Sequence, residues 1–258
     1  MPLKVFITGA SSGIGAAFAK AYAAQGAVLG LVGRRPEALQ ALQGNLPKST
    51  GGGHYNYVCD VTDLASLQAA AEDFMVAQGC PDIVIANAGI SVGTLTDYAD
   101  DIDAMQQVLD TNLLGMAKTF HPFIRAMRQQ GRGQLVGIAS VAGIRGLPGS
   151  GAYSASKAAA IAYCESLRVE LRGSGIQVTT LCPGFIRTPM TARNPYRMPF
   201  MLEADDFAQR AVRAIAQEKS YAVIPWQMGL VAKGLRLLPN ALFDRAFVNA
   251  GRKPRRGE

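Results

Sequence analysis

Tyr153 and Lys157 are the two side chains with the clearest potential for chemistry, and they lie four positions apart. Positions i and i+4 of a helix share one face, so this spacing places the ammonium beside the phenol. A neighbouring ammonium favours the phenolate and lowers the pKa of a tyrosine from about 10. Such a phenol can exchange a proton with an alcohol or carbonyl oxygen. Ser140 ends a predicted strand thirteen residues earlier, and its hydroxyl could hydrogen-bond the same oxygen.

A tyrosine and lysine at this spacing are usually structural, so a second feature is needed to support the interpretation. That feature is the sequence TGASSGIG at 8–15, between a predicted strand and a predicted helix. Glycines allow a tight turn here, and the helix N-terminus offers free N–H groups to a pyrophosphate. The turn predicts a dinucleotide site with contacts from Gly9, Ser11, Ser12, Gly13, Ile14 and Gly15.

The same turn also matches G-x-S-x-G, the nucleophile motif of a class of hydrolases. Ser11 would then need an acid and a histidine later in the chain. The only histidines are His54 and His121, both too early for that arrangement. No Gly-Lys pair occurs, which excludes a Walker A loop. Dinucleotide binding is therefore favoured over either alternative.

Two arginines follow the second predicted strand, where many dinucleotide folds carry an acid for the ribose hydroxyls. The strand ends at Gly33, and Arg34 lies 19 residues past Gly15. The guanidinium groups of Arg34 and Arg35 suit a 2′-phosphate by charge and geometry. We therefore expect NADP(H) as the cofactor and NAD(H) less so. The alternative is a solvated basic turn.

The elements that must position these residues follow from hydrophobic periodicity. The chain has 258 residues, 49% hydrophobic and 17% charged, which argues against disorder or a coiled coil. Short apolar runs alternate with helical patterns, which predicts a single α/β domain with a Rossmann-like, doubly wound parallel sheet of about seven strands. The predicted strands are 3–8, 27–32, 55–59, 82–86, 134–139, 176–181 and 221–224. The predicted helices are 13–25, 36–43, 63–78, 101–129 with a possible break near 112–115, 152–172 and 204–217.

Charge and cysteine usage restrict the partners. Residues 231–258 carry seven basic and two acidic residues, which is +5 of the net charge of +7. The rest of the chain has a net charge of only +2, so we expect no nucleic-acid binding. Four scattered cysteines and two histidines give no metal-ligand spacing, and we predict no metal site. With no signal peptide or long apolar run, we expect a cytoplasmic protein, possibly peripheral to a membrane.

These motifs together resemble the short-chain dehydrogenases/reductases over residues 3–225. The resemblance implies hydride transfer between a nicotinamide and a carbonyl/alcohol pair. It implies that Tyr153 is the general acid in reduction, with Lys157 also holding the nicotinamide ribose. Ser140 would orient the carbonyl, and Asn112 would hold a proton-relay water. Further cofactor contacts implied by the resemblance are Asp60, Val61, Asn87, Ala88, Gly89, Pro183, Gly184, Ile186 and Thr188.

Two other functions are compatible with this fold. A non-catalytic NADP(H) sensor or scaffold would be expected to lack one of Ser140, Tyr153 and Lys157, and all three are present. An epimerase or dehydratase would usually have a different glycine spacing and a larger substrate domain. An oxidoreductase is therefore the favoured function.

The remaining expectations concern substrate and assembly. Residues 1–225 form the predicted catalytic domain, in which the Pro- and Met-rich stretch 188–202 is either a substrate lid or an ordinary surface loop. A hydrophobic ketone or aldehyde is expected if the pocket is lined by Leu95, Ile144, Leu147, Phe185, Met190 and Phe200. Residues 226–250 form an amphipathic extension that meets either an anionic membrane or the protein body. Residues 251–258 are expected to be a disordered basic tail. The resemblance also implies that the helices at 101–129 and 152–172 pair across a two-fold axis, so we expect a homodimer or homotetramer.

Overall fold

Within residues 1–192 and 194–256, the part of the chain that this computed structural model describes, buried apolar runs form seven parallel strands of one sheet. These strands are β1 Lys4–Thr8, β2 Val28–Gly33, β3 Tyr55–Val58, β4 Ile83–Ala86, β5 Gly133–Ile138, β6 Ile176–Pro183 and β9 Tyr221–Ile224. Their order is β3-β2-β1-β4-β5-β6-β9, while the short strands β7 Ile186–Arg187 and β8 Leu202–Glu203 pair separately. The predicted doubly wound parallel sheet is confirmed.

Helices cover both faces of the sheet, which explains why its strands are apolar without alternation. They are α1 Gly13–Ala23, α2 Pro36–Gly44, α3 Leu64–Gln78, α4 Asp100–Leu109, α5 Gly115–Gln130, α6 Gly151–Glu170, α7 Ala204–Ala216, α8 Trp226–Leu237 and α9 Asn240–Phe247. In β1, Ile7 belongs to the core that contains Phe18 of α1. Its neighbour Phe6 belongs to the opposite core and packs 5.6 Å from Phe74 and 4.8 Å from Phe123, measured between ring centroids.

A π-helical turn, Asp110–Leu114, joins α4 to α5. The sequence predicted a helix here with a possible break near 112–115, and the structure has a continuous helical path with a wider turn. A π turn admits an additional residue into a helix and is frequent at functional sites. Asn112 lies within it and is 1% exposed.

The C-terminal extension forms α8 and α9, which are separated at Pro239 as its lack of a free N–H requires. Arg145 attaches this pair to the body. Its guanidinium donates to the carbonyl oxygens of Leu235 at 2.6 Å and Leu238 at 2.7 Å, and lies 4.0 Å from the ring centroid of Phe243. Arg145 thus supplies donors to the otherwise unpaired carbonyls at the end of α8.

The sequence left two interpretations of the extension, contact with the protein body and contact with a membrane, and the structure bears on each. Its packing through Arg145 agrees with contact to the protein body. Trp226, Leu230 and Leu237 are exposed, so contact with a membrane surface stays a prediction. Across the described residues, no helix has the length and apolar character needed to span a bilayer.

The disorder expected for residues 251–258 stays a prediction, and the structure describes residues 251–256 in contact with the protein body. Pro254 accepts a hydrogen bond from Gly93 N at 3.0 Å, and Arg255 forms an ion pair with Asp101 at 2.7 Å. The tail has few apolar residues, but it is held by the backbone N–H of Gly93 and the carboxylate of Asp101, both more than 150 positions away in sequence. Residues 257 and 258 lie outside the described part.

We predict that Arg145→Ala lowers the melting temperature by roughly 3–12 °C, because a hydrogen bond to a charged group contributes about 1.5–3 kcal/mol and 1 kcal/mol shifts a domain of this size by about 2–4 °C. Differential scanning calorimetry measures this. Arg210→Ala, which removes an exposed arginine from α7, is the matched control. Equal melting of the two variants would show that Arg145 does not hold the extension.

Candidate active site

The carboxyl ends of the parallel strands enclose a cavity of about 430 Å³. In doubly wound sheets, ligands bind at this edge, where the connections diverge to opposite faces. The structure brings most of the predicted site residues to the cavity wall. These are Gly9, Ser11, Ser12, Gly13, Ile14, Arg34, Arg35, Asp60, Val61, Asn87, Ala88, Gly89, Ser140, Tyr153, Lys157, Pro183, Gly184, Ile186 and Thr188.

Two predicted residues, Gly15 and Asn112, are not among those that line the cavity, and Gly15 has a packing role instead. A Cβ on Gly15 would lie 2.2 Å from the carbonyl oxygen of Gly9, so the first turn of α1 can approach the loop only without a side chain. Gly9 has φ +66° and would place a Cβ 2.8 Å from Ala88 Cα. Asn87 Nδ2 donates to the carbonyl oxygens of Thr8 at 3.0 Å and Gly9 at 3.2 Å, which fixes the turn.

The glycine turn leaves room for a phosphate group. Ser12, the N-cap of α1, makes no side-chain capping hydrogen bond, and the first turn of α1 contains no acidic residue. The helix therefore presents its N–H groups and the positive end of its dipole to the cavity. The residues present fit a nicotinamide dinucleotide at this turn.

The two arginines at the end of β2 lie on opposite sides of one corner of the cavity. Arg34 Nη1 is 3.3 Å from Asp60 Oδ2, and Arg35 Nη2 is 3.3 Å from Ser11 Oγ. Burial raises the pKa of Asp60, but hydrogen bonds from Thr62 and Arg34 outweigh it and hold the pKa below its usual range. Both guanidinium groups are thus anchored at the cavity rather than pointing only to solvent.

Ser140, Tyr153 and Lys157 meet at the inner wall, as the spacing predicted. Ser140 follows β5 and caps a short 3₁₀ turn, its Oγ accepting from Ala142 N at 3.1 Å. Lys157 Nζ donates to the carbonyl oxygen of Ile138 at 2.7 Å and lies 5.8 Å from the ring centroid of Tyr153. The α6 helix thus presents its tyrosine and lysine beside the end of β5.

The pKa of Tyr153 differs from the sequence expectation. Burial raises it above the ordinary value, and the hydrogen bond with Ser140, which lowers it, does not compensate. Burial also lowers the pKa of Lys157 to about 8. The sequence argument included the attraction between the ammonium and the phenolate. It did not include the free-energy cost of burying either charge away from water. The phenol therefore holds its proton at neutral pH and is a weaker acid in this site than an exposed tyrosine.

The side chain of Asn112 forms hydrogen bonds with the loop after β4 and with α6. Its Oδ1 accepts from Ile90 N at 2.8 Å, and its Nδ2 donates to Ile90 O at 3.0 Å and to Ser156 Oγ at 2.9 Å. The amide therefore connects the loop after β4 to α6, next to Lys157. Its contact with a relay water stays a prediction.

Sequence reasoning missed part of the lining. Most missed residues adjoin a predicted one along the chain, so chain neighbourhood is the signal that could have found them. They are Val32, Gly33, Cys59, Ile90, Thr111, Ile138, Ala139, Pro189, Met190 and Thr191, of which Met190 had been proposed for the substrate pocket. The other five predicted substrate residues are not in this lining. In the described ranges no three His, Cys, Asp or Glu side chains are grouped so as to hold a metal ion.

A Rossmann-like α/β protein whose cavity holds a serine, a tyrosine and a lysine is the class that this fold and site define. The chain matches the short chain dehydrogenase family over residues 4–198. It is 37% identical over 240 residues to an uncharacterized oxidoreductase of Myxococcus xanthus, covering 93% of this chain and 94% of that one. It is 32% identical over 271 residues to dehydrogenase/reductase SDR family member 7B of Bos taurus, covering 98% and 83%.

A solved structure agrees with these relatives. A short chain dehydrogenase/reductase from Burkholderia phymatum, determined in complex with NAD, has a TM-score of 0.82 and 27% identity, with coverage of 98% of this chain and 97% of that one. The chain therefore belongs to the short-chain dehydrogenase/reductase family, whose members are oxidoreductases that act on CH–OH/C=O pairs with a nicotinamide cofactor.

We predict that Lys157→Met raises the melting temperature at pH 7 by several degrees. The pKa of Lys157 is about 8 in the folded protein, below its value of about 10.4 in an unfolded chain. Its buried charge therefore costs stability fully below pH 8, and the cost fades as the pH rises towards 10. The gain of the variant should shrink over the same interval. Thermal melts at pH 7, 8, 9 and 10 measure it.

Lys219→Met is the matched control, because Lys219 is exposed on the surface. It should change the melting temperature little at any of these pH values. A Lys157→Met protein that melts at or below the wild-type temperature throughout would contradict the assignment of a buried, costly ammonium.

Proposed function

We propose that this protein is an NADP(H)-dependent reductase of an apolar ketone or aldehyde. The observation that carries the proposal is one cavity with two differently equipped ends. Ser140, Tyr153 and Lys157 meet at one end, and Arg34 and Arg35 flank the other. The apolar side chains of Ile90 and Met190 in the same lining favour a substrate of low polarity.

Each residue of the inner wall has a distinct task in this proposal. The cofactor supplies or accepts the hydride when bound. Tyr153 donates the proton to the carbonyl oxygen, and Ser140 donates a hydrogen bond that holds and polarises that oxygen. The Lys157 ammonium stabilises the phenolate that remains and contacts the nicotinamide ribose. Asn112 positions the loop and α6 and supports the return of a proton.

The glycine turn and the loop after β6 hold the cofactor in this proposal. The turn at 9–15 would hold the pyrophosphate, and Asp60 and Val61 would hold the adenine. Asn87, Ala88 and Gly89 would hold the ribose. The nicotinamide end would be held by Pro183, Gly184, Ile186 and Thr188, all of which line the cavity.

The preference for NADP(H) is supported by the corner at Gly33. Its lack of a side chain removes the acid that would bind two ribose hydroxyls and repel a phosphate. Arg34 and Arg35 already lie within 3.3–3.4 Å of cavity-lining oxygens and need little movement to reach a phosphate. Against this, the similar Burkholderia phymatum structure was determined with NAD. The cofactor is therefore a direct experimental question.

We predict that Tyr153→Phe lowers kcat by roughly 10²–10⁴ and leaves NADPH affinity nearly unchanged, because only the proton donor is removed. NADPH oxidation at 340 nm is followed with decanal, 2-decanone, acetophenone and 9,10-phenanthrenequinone, and NADPH affinity is measured by fluorescence. Tyr163→Phe on the same helix is the control and should keep wild-type turnover. A Tyr153→Phe enzyme with near-normal kcat would sink the mechanism.

We predict that wild-type kcat/KM favours NADPH over NADH by roughly 10- to 1,000-fold, because charge-assisted hydrogen bonds contribute about 1.5–3 kcal/mol each and 1.4 kcal/mol is tenfold. Adding salt should reduce the ratio, since the arginines are exposed. Gly33→Asp with Arg34→Ala should weaken NADPH strongly and leave NADH equal or better. Steady-state kinetics with both cofactors give the ratio.

The double variant is sterically feasible but tight. A Cβ at residue 33 would lie 3.3 Å from Ser11 Cβ and Oγ, so Ser11 must shift by a few tenths of an ångström. Gly33→Ala is the matched control for that shift, because it adds the Cβ without the carboxylate. Equal use of NADH and NADPH by the wild type would show that the arginines do not select the cofactor.

A further inference from the structure

The C-terminal segment 252–256 contacts two loops next to the cavity. One loop, residues 91–98, directly follows the lining residue Ile90, and the other, residues 188–192, follows β7 and supplies the lining residues Thr188, Pro189, Met190 and Thr191. Lys253 connects the two, because its Nζ donates to Ser91 Oγ at 2.9 Å and is 3.4 Å from the carbonyl oxygen of Met190. One side chain thus spans the gap between both loops.

The backbone of the segment fits closely against the first loop. Gly93 N donates to Pro254 O at 3.0 Å. A Cβ on Gly93 would lie 2.1 Å from the carbonyl oxygen of Lys253 and 2.7 Å from that of Pro254, so only glycine permits this approach. The backbones of residues 253–254 and of Gly93 are therefore in close contact.

Arg255 anchors the segment. Its Nε is 2.7 Å from Asp101 Oδ2, with side chains 18% and 3% exposed, and its guanidinium carbon lies 3.5 Å from the ring centroid of Tyr98. The same Asp101 oxygen accepts from Leu95 N at 2.7 Å. A buried ion pair is costly to form and much more costly to break on one side, so it fixes geometry. Asp101 thereby holds the segment and the loop together.

The first loop in turn contacts the start of α6. Thr94 N donates to Gly149 O at 3.1 Å, and Thr94 Oγ1 accepts from Ala152 N at 3.3 Å. Ala152 directly precedes Tyr153. Hydrogen bonds at the consecutive residues Gly93 and Thr94 therefore connect Pro254 on one side to Ala152, the residue beside the proposed proton donor, on the other.

We propose that residues 252–256 are a positioning element of the carbonyl site, which fixes the cavity wall at 188–191 and, through the 91–98 loop, the adjoining lining residue Ile90. This inference rests on the proposed function for the identity of the substrate. Arg255 and Lys253 act through the loops and not on the reacting atoms. Their loss should therefore weaken capture of the carbonyl while the cofactor end of the cavity is unaffected.

The first test needs no turnover. Hydrogen exchange followed by mass spectrometry is compared for wild type, Arg255→Gln, Asp101→Asn and Arg245→Gln. The first two variants break the same ion pair and should both speed exchange in the 91–98 peptide, by about tenfold or more at the Gly93 and Leu95 amides. Arg245→Gln removes an exposed arginine from α9 and should exchange like wild type. Unchanged exchange in Arg255→Gln overturns the proposal.

The second test separates positioning from simple loss of stability. Using whichever carbonyl of the four-compound panel is reduced best, Arg255→Gln and Lys253→Met should raise its KM about 5- to 20-fold. In the same proteins, kcat at saturation and the KM for NADPH should stay within about twofold of wild type. The Arg255→Gln and Asp101→Asn double variant should be no worse than the more severe single variant, since both single changes remove the same ion pair.

Each remaining outcome is decisive. Faster exchange with an unchanged carbonyl KM would mean that the segment stabilises the loops without serving the site, and would overturn the proposal. A uniform fall in kcat and NADPH affinity would do the same, by indicating general destabilisation. Reduction of no carbonyl by the wild type would count against the proposed function, while the exchange experiment would still decide whether the segment fixes the loops.

Discussion

The close approach of β1 and β4 at their carboxyl ends is the constraint on which the site depends. Thr8, fully buried, connects them: its Oγ1 is 3.4 Å from the carbonyl oxygen of Ile85 and accepts from Asn87 N at 3.2 Å. Asn87 returns the contact through its amide to Thr8 O and Gly9 O. These hydrogen bonds satisfy backbone groups that lie at or just beyond Ile7 and Ile85, the last paired residues of the two strands. Without them, the glycine turn would have no fixed position relative to the loop that carries Gly89.

At the inner wall, burial opposes the charged forms of the residues proposed for catalysis. Burial disfavours the charged forms of both Tyr153 and Lys157, raising the pKa of the first and lowering that of the second to about 8. Burial therefore keeps the Tyr153 phenol protonated and makes the Lys157 ammonium easier to deprotonate than that of an exposed lysine. Release of the tyrosine proton then depends on stabilisation of the phenolate, which is the task proposed for Lys157.

The sheet and most of the cavity wall could be predicted because their signals are local. A strand of continuous apolar residues, a glycine spacing and an i, i+4 pair are each visible within fifteen residues of sequence. The geometry around Asn112 was not visible, because a π turn leaves no mark in hydrophobic periodicity. The docking of Arg255 was missed because its carboxylate partner lies 154 positions away. The pKa of Tyr153 was misjudged because desolvation depends on the completed fold.

The π turn at Asp110–Leu114 also sets the helical phase between two surfaces. A residue added to a helix rotates everything beyond it by about 100°. Asp101 of α4 faces the 91–98 loop, whereas Phe120 and Phe123 of α5 face the sheet core, and the wider turn between them keeps both in register. Loss of a single residue from this turn would restore a regular helix but rotate one surface away from its partner. Insertions and deletions are therefore tolerated much less here than substitutions, and a change of length could be accepted only together with a change in packing on one side.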